Sequence, residues 1–253
     1  DGIRDIGVTG VQTCALPICP GSAPTPLTTA ARRAELLLGL GLDAVLVQPV
    51  DRAFIALSAE AFYREVLRTR LRATALVEGP DFRFGAGRTG DVGLLRSLCA
   101  ADGVALEVVE PVTAAGDTVS SSRIRALVAA GDVAAAAALL TAPFRTTGTV
   151  VAGARRGAGL GFPTANLAEI ATLVPGPGVY AARARVRDDG GSHVAAVHVG
   201  VNLTFGATVP TVEAHLVGFT GDLYGRALDV DFLERLRETR RFESADEIGR
   251  AHV

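Results

Sequence analysis

The chain has 253 residues, 49% of them hydrophobic and 5% aromatic, with a formal net charge of −2. That length accommodates two modest domains, and the balanced charge carries no polyelectrolyte signature, which argues against nucleic acid as a partner. No apolar run reaches the length of a membrane span; the longest candidate, residues 127–140, is interrupted by Gly131 and Asp132.

Residues 1–19 have no basic start followed by an apolar core, so they do not read as a signal peptide. They resemble translated sequencing-adapter sequence, as do residues 247–253, and both stretches are expected to lie outside the fold. Met is absent throughout. A translated gene begins with Met, so the true N-terminus is expected to lie elsewhere. The three cysteines lack zinc-type spacing, which points to a reducing cytoplasm and no disulfide framework. Cys99 sits in a helical pattern and is expected to be buried.

Residues 20–26 read as a loop and 27–40 as a helix, with Leu36, Leu37 and Leu40 recurring. Residues 44–50 form a short apolar run of strand type. A helix is expected over 59–70, with Phe62, Val66 and Leu67 on one face. A strand follows at 74–78, a helix at 90–102 and a strand at 105–109. Strands alternating with helices at this spacing predict a parallel α/β sheet. Residues 120–130 and 133–140 read as two helices.

The texture changes near residue 142. Short β-rich runs follow at 147–152, 179–187, 194–201, 211–216 and 227–232, punctuated by Gly and Pro. That pattern predicts a small antiparallel barrel. A final amphipathic helix is expected from about Leu233. The expected domains are therefore 20–141 and 142–246.

The stretch from Gly153 to Asn166 is the densest in chemistry. Gly153, Gly157, Gly159 and Gly161 let backbone N–H groups approach a phosphate, because no Cβ intervenes. Arg155 and Arg156 add charge-assisted donors for the same oxygens. After Pro163, Thr164 and Asn166 lie two apart on an extended segment and point the same way. Their neutral oxygens suit a magnesium ion that also holds phosphate. A dinucleotide turn does not fit, since Pro163 and a β-like segment follow where a helix should open; a P-loop does not fit either, lacking Gly-Lys-Ser/Thr. The stretch reads as a nucleotide–magnesium site for phosphoryl transfer.

Downstream, Val212, Ala214 and Leu216 alternate with Glu213 and His215, so the two polar groups share a face. A carboxylate beside a nucleotide site can take the proton of an attacking hydroxyl. Upstream, Ser120, Ser121, Ser122, Arg123 and Arg125 gather at a helix start, where unpaired N–H groups favour a triphosphate. The plainer reading of that cluster is a Ser N-cap with two solvated arginines.

Gly161–Leu167, Val199–Phe205, Val212–His215 and Leu223-Tyr224-Gly225, in that order, resemble the riboflavin kinase domain of the prokaryotic bifunctional riboflavin kinase/FAD synthetase family. The resemblance implies that Thr164 and Asn166 bind Mg²⁺ and ATP phosphate, and that Gly153–Gly161 wraps the nucleotide. It implies that Glu213 activates the terminal ribityl hydroxyl of riboflavin, with Arg237 and Phe242 in a segment that helps close over the flavin. Gly79–Gly85 resembles the family's Gly-x-Asp-Phe-Arg-Phe-Gly loop, and Val119–Arg125 its Ser-Ser-Thr-x-Ile-Arg motif. These imply a nucleotidyltransferase-like parallel sheet ahead of the barrel, with riboflavin, FMN and ATP as ligands and FMN and FAD as products.

Two departures stand out. Leu203 replaces the family's usual Pro, and Ala158 stands where a basic residue is common. The family's His-x-Gly-His segment is also missing. The histidines are His193, His198, His215 and His252, none of them upstream. Only the kinase step is expected of this chain, and the nucleotidyltransferase half is expected to be truncated.

Overall fold

A computed structural model describes residues 7–9, 24–153, 163–187, 190–201 and 210–239. In chain order these form β1 (Gly7–Thr9), α1 (Ala30–Gly39), α2 (Arg52–Ile55), α3 (Ala59–Ala61), a π-helix (Phe62–Arg70), β2 (Ala75–Glu78) and a 3₁₀ turn (Ala86–Arg88). They continue through α4 (Val92–Asp102), β3 (Ala105–Val108), β4 (Thr113–Ala114), β5 (Asp117–Thr118), α5 (Ser121–Ala130) and α6 (Val133–Leu140). The remaining strands are β6 (Phe144–Val151), β7 (Ala165–Ala168), β8 (Gly178–Val186), β9 (Ser192–Val201), β10 (Pro210–Leu216) and β11 (Ala227–Arg237). No helix among the described residues is long and apolar enough to cross a membrane.

The chain divides into two compact units. One comprises Asp1–Pro24 and Leu46–Thr118, the other Thr25–Val45 and Val119–Val253. The first holds a parallel sheet in the order β1-β2-β3. Gly7 pairs with Ala75 and Thr9 with Val77, while Ala75 pairs with Ala105 and Glu78 with Val108. The strand expected at 44–50 is not formed. Those residues have no ladder partner among the described residues, and Leu46 and Val47 are exposed. A strand exists only through its neighbour's hydrogen bonds, which an apolar run does not itself supply. The third strand is instead Gly7–Thr9, from the stretch set aside as adapter-like. A ladder uses main-chain groups, so sequence character alone does not keep such a segment out of a sheet.

The helix expected at 59–70 forms, but most of it is wound as a π-helix. Leu71 N–H donates to Val66 O, five residues back, at 3.0 Å. The wider winding buries Tyr63 together with Phe62, Val66 and Leu67. These pack with Leu76, Phe84, Leu95 and Cys99 in this unit's core. Cys99 is buried on α4 as expected, and burial pushes its thiol pKa up.

The second unit is a closed barrel, β10-β7-β6-β11-β8-β9, antiparallel at every seam described. Alternate residues fill it: Val150 from β6, Leu167 from β7, Tyr180 and Ala182 from β8, Val197 and Val199 from β9, Val212 and Ala214 from β10, Val230 and Phe232 from β11. Ile124 and Val128 of α5 and Val133 and Ala136 of α6 join the same core. Because these helices pack on the barrel, the unit's second segment begins at Val119, whereas the sequence texture changes near 142. Gly131 makes the helix pair's turn possible. Its φ is +83°, and a Cβ there would lie 2.7 Å from Tyr180 Oη.

The final helix expected from Leu233 is a strand as far as Arg237. Glu234, Arg235 and Arg237 pair with Ala181, Tyr180 and Val179, through two register shifts that let β11 follow the curving wall. Leu233 and Leu236 are both exposed. Residues beyond 239 in the expected helix lie outside those described.

Candidate active site

The barrel interior is filled mainly by apolar side chains, and the candidate polar residues alternate to its outer face. Ala165 and Leu167 point inward from β7, as do Val212 and Ala214 from β10, and Val197 and Val199 from β9. Their intervening neighbours Asn166, Glu213 and His198 therefore point outward. Register aligns them. Asn166 pairs with Glu213, Glu213 with His198, His198 with Val179, and Val179 with Arg237. One transverse row across five strands thus carries an amide, a carboxylate, an imidazole, an apolar spacer and a guanidinium. Asn166, Glu213, His198 and Arg237 are all half-buried.

Local contacts fix the row. Thr211 Oγ1 lies 3.2 Å from Gly200 O and 3.3 Å from Glu213 Oε1, bridging the carboxylate to β9. His215 Nδ1 is 2.9 Å from Pro163 O. The acceptor there is a carbonyl, so the tautomer that makes this bond carries its proton on Nδ1. This contact ties the Pro163-Thr164 entry to β10, and Thr164 is half-buried beside it. Gly153 passes directly over Asn166: a Cβ at 153 would sit 2.0 Å from Asn166 Nδ2. Glycine is needed here for close approach, since any side chain would displace the amide.

His198 is the one polar member of the row that the sequence motifs did not single out. Alternation along 194–201 places it on the outer face, but only the register sets it opposite Glu213. Burial first pushes its pKa down, Glu213 pulls it up, and Arg237 pushes it down again.

Other expected site residues are placed as follows. Arg155, Arg156, Gly157, Gly159, Gly161 and Phe242 lie outside the described residues, as do the departures Ala158 and Leu203. Ser120 is the N-cap of α5, its Oγ accepting from Arg123 N–H at 3.2 Å. Ser121 and Ser122 open the helix, and Arg125 Nε donates to Thr25 O at 3.0 Å. In the parallel-sheet unit, Arg83 pairs with Asp91 at 3.4 Å, and Asp91 caps α4 by accepting from Leu94 N–H. That backbone bond, reinforced by Arg83, holds the Asp91 carboxyl pKa down. Glu78, at the end of β2, is pushed up to about 7 by burial.

A parallel-sheet unit followed by a six-stranded barrel bearing this polar row defines a two-part enzyme of the kind the sequence motifs indicate. Residues 140–252 match the riboflavin kinase family model and residues 13–123 the FAD synthetase model. The bifunctional riboflavin kinase/FMN adenylyltransferase of Escherichia coli (strain K12) is 36% identical over 227 residues, covering 89% of this chain and 72% of that protein. The Pseudomonas fluorescens protein of the same name is 36% identical over 233 residues, covering 92% and 74%. A crystal structure of a macrolide-efflux protein from Streptococcus pneumoniae superposes with a TM-score of 0.77 at 28% identity, covering 89% of this chain and 72% of that one. The chain belongs to the bifunctional riboflavin kinase/FMN adenylyltransferase family.

Proposed function

We propose that the barrel unit transfers the γ-phosphoryl group of ATP to the terminal ribityl hydroxyl of riboflavin, giving FMN and ADP. The observation that carries this reading is Glu213 standing in register between Asn166 and His198, with Arg237 further along the same face. A carboxylate at that place takes the hydroxyl proton as the oxygen attacks phosphorus. Asn166 and Gly153 are assigned to the nucleotide on one side of it and Arg237 to the flavin on the other; the roles of Gly157, Gly159, Gly161 and Phe242 rest on the sequence motifs alone.

Thr164 and Asn166 are the residues that would hold Mg²⁺. Their oxygens are neutral and hard, and Gly153 brings no side chain of its own onto the Asn166 amide. Bound there with ATP, the ion supplies neutralisation of phosphate charge. The chain's own groups do the rest by positioning. Thr211 orients the Glu213 carboxylate, His215 pins the Pro163-Thr164 entry, and Arg155 and Arg156 contribute positive charge.

The family's second reaction transfers AMP from ATP to FMN, giving FAD and pyrophosphate. Ser120, Ser121, Ser122, Arg123 and Arg125 are the residues we assign to nucleotide binding for it. No histidine precedes His193, so this chain brings no His-x-Gly-His imidazole to that step, and we assign it the kinase step alone. Incubation with riboflavin, ATP and Mg²⁺, followed by separation of the flavins, should yield FMN and no FAD. A folded sample that leaves riboflavin unchanged overturns the assignment.

A further inference from the structure

We propose that Arg235 is a positioning residue for Arg237. Its guanidinium anchors the end of β11, and that anchor turns Arg237 onto the outer face where Glu213 stands. The inference rests on the kinase reading, in which Arg237 serves riboflavin, and adds a residue that acts on the flavin side through Arg237.

Arg235 and Arg237 are two positions apart, so an unbroken strand would point both the same way. A register shift interrupts β11 between them. Arg235 pairs with Tyr180, whose side chain is fully buried in the barrel core, whereas Arg237 pairs with Val179 of the outer row. Cross-strand partners project to the same side of a sheet, so the extra residue at the shift sends the two arginines to opposite sides. Holding Arg235 on the inner side is what lets Arg237 reach the row.

The hold comes from the neighbouring loop and turn. Arg235 Nη2 donates to Pro177 O at 2.5 Å and lies 3.9 Å from Glu238 Oε1. The side chain fills the space left by two glycines: a Cβ at Gly178 would lie 2.6 Å from Arg235 Nε, and one at Gly131 would lie 3.2 Å from Arg235 Cδ. Beside it, Tyr180 Oη donates to Gly176 O, and Gly176 N–H donates to Val128 O at 2.9 Å. The anchor thus joins β11 to the end of α5 through residues 176–178.

Packing alone does not account for an arginine here. Arg235 Nε is buried with no acceptor among the described residues. A buried donor without its hydrogen bond destabilises a fold, and an apolar side chain would fill the same space without that penalty. What an apolar side chain lacks is the bond to Pro177 O, which fixes the strand where its register shifts.

The test is steady-state kinetics of FMN formation by the full chain as wild type, Arg235→Met, Arg237→Ala and the double variant. In Arg235→Met the KM for riboflavin should rise by about tenfold, with kcat and the KM for ATP changed by less than about twofold. In the Arg237→Ala background the same substitution should add nothing further, because its effect passes through Arg237. An unchanged riboflavin KM in folded Arg235→Met overturns the proposal, as does a rise that persists in full without Arg237. A wild-type chain that forms no FMN overturns the kinase reading itself, and the inference with it. Should Arg235→Met fail to fold, Gly178→Ala decides, since its methyl group displaces the guanidinium without removing it. The riboflavin KM should rise there too, and an unchanged value overturns the anchor.

Discussion

Glu213 on β10 stands directly opposite Asn166 on β7, so the carboxylate and the amide of the candidate site share one rung of the barrel. The two are 47 positions apart in sequence, yet their spacing is set by a backbone ladder. Neither depends on a loop for its place. A barrel wall is a rigid support, and phosphoryl transfer relies on positioning more than on covalent chemistry.

The close approach of Gly153 to Asn166 gives the first prediction. Gly153→Ala puts a methyl group where the Asn166 amide lies, at 2.0 Å from Nδ2. One of the two must move. The KM for ATP should rise by about tenfold, the order of one lost charge-assisted contact, with smaller change in the KM for riboflavin. Equal changes in both, measured by steady-state kinetics, would remove Asn166 from nucleotide binding.

A second prediction concerns stability. Arg145 on β6 holds Asp231 on β11 by two bonds, Nε–Oδ1 at 2.6 Å and Nη2–Oδ2 at 2.7 Å, and also reaches Asp229 at 3.4 Å. Arg187 and Thr147 complete the network on Asp229, at 2.9 and 2.7 Å. Its hydrogen bonds to Asp231 hold the Arg145 guanidinium pKa above its ordinary value. Arg145→Met leaves Asp231 buried without its partner and should cost about 3–5 kcal/mol. Denaturant unfolding of the barrel would show the loss, and an unchanged midpoint would mean the network contributes nothing net.

The parallel-sheet unit should respond to pH through Glu78. Its pKa rises from 4.5 to about 7 by burial. The folded state therefore holds a proton that the unfolded state has released between those values. Stability from this group is fully present below pH 4.5 and falls as pH rises toward 7. For a half-buried group the effect is on the order of 1 kcal/mol after solvent screening. Hydrogen exchange at β2 and β3 should quicken between pH 4.5 and about 7 beyond the intrinsic chemical rate, and Glu78→Gln should flatten that response. Equal slopes in both proteins would contradict it.

Much of the barrel was legible because its strands alternate. Inward Val212, Ala214 and Leu216 against outward Glu213 and His215 is a period of two, which only an extended strand satisfies. The glycines and Pro163-Thr164-Ala165-Asn166 were legible as chemistry for the same reason that they constrain backbone and ligand geometry. What alternation does not encode is register. Nothing in the sequence places His198 opposite Glu213, or puts Arg237 on the same rung as Asn166. That information resides in long-range pairing closed by β11 and its two register shifts. The same limit explains 44–50, where an apolar run has no ladder partner among the described residues, and 233–237, where the expected helix is the end of β11.

The central claim is that Glu213 is the base for phosphoryl transfer to riboflavin. Rates of FMN formation by wild type and Glu213→Gln, compared at saturating ATP and Mg²⁺ alongside ATP affinity by calorimetry, test it most directly. The account predicts a fall in kcat of about 10²–10⁴-fold with ATP affinity nearly unchanged. Equal kcat in the two proteins would contradict it.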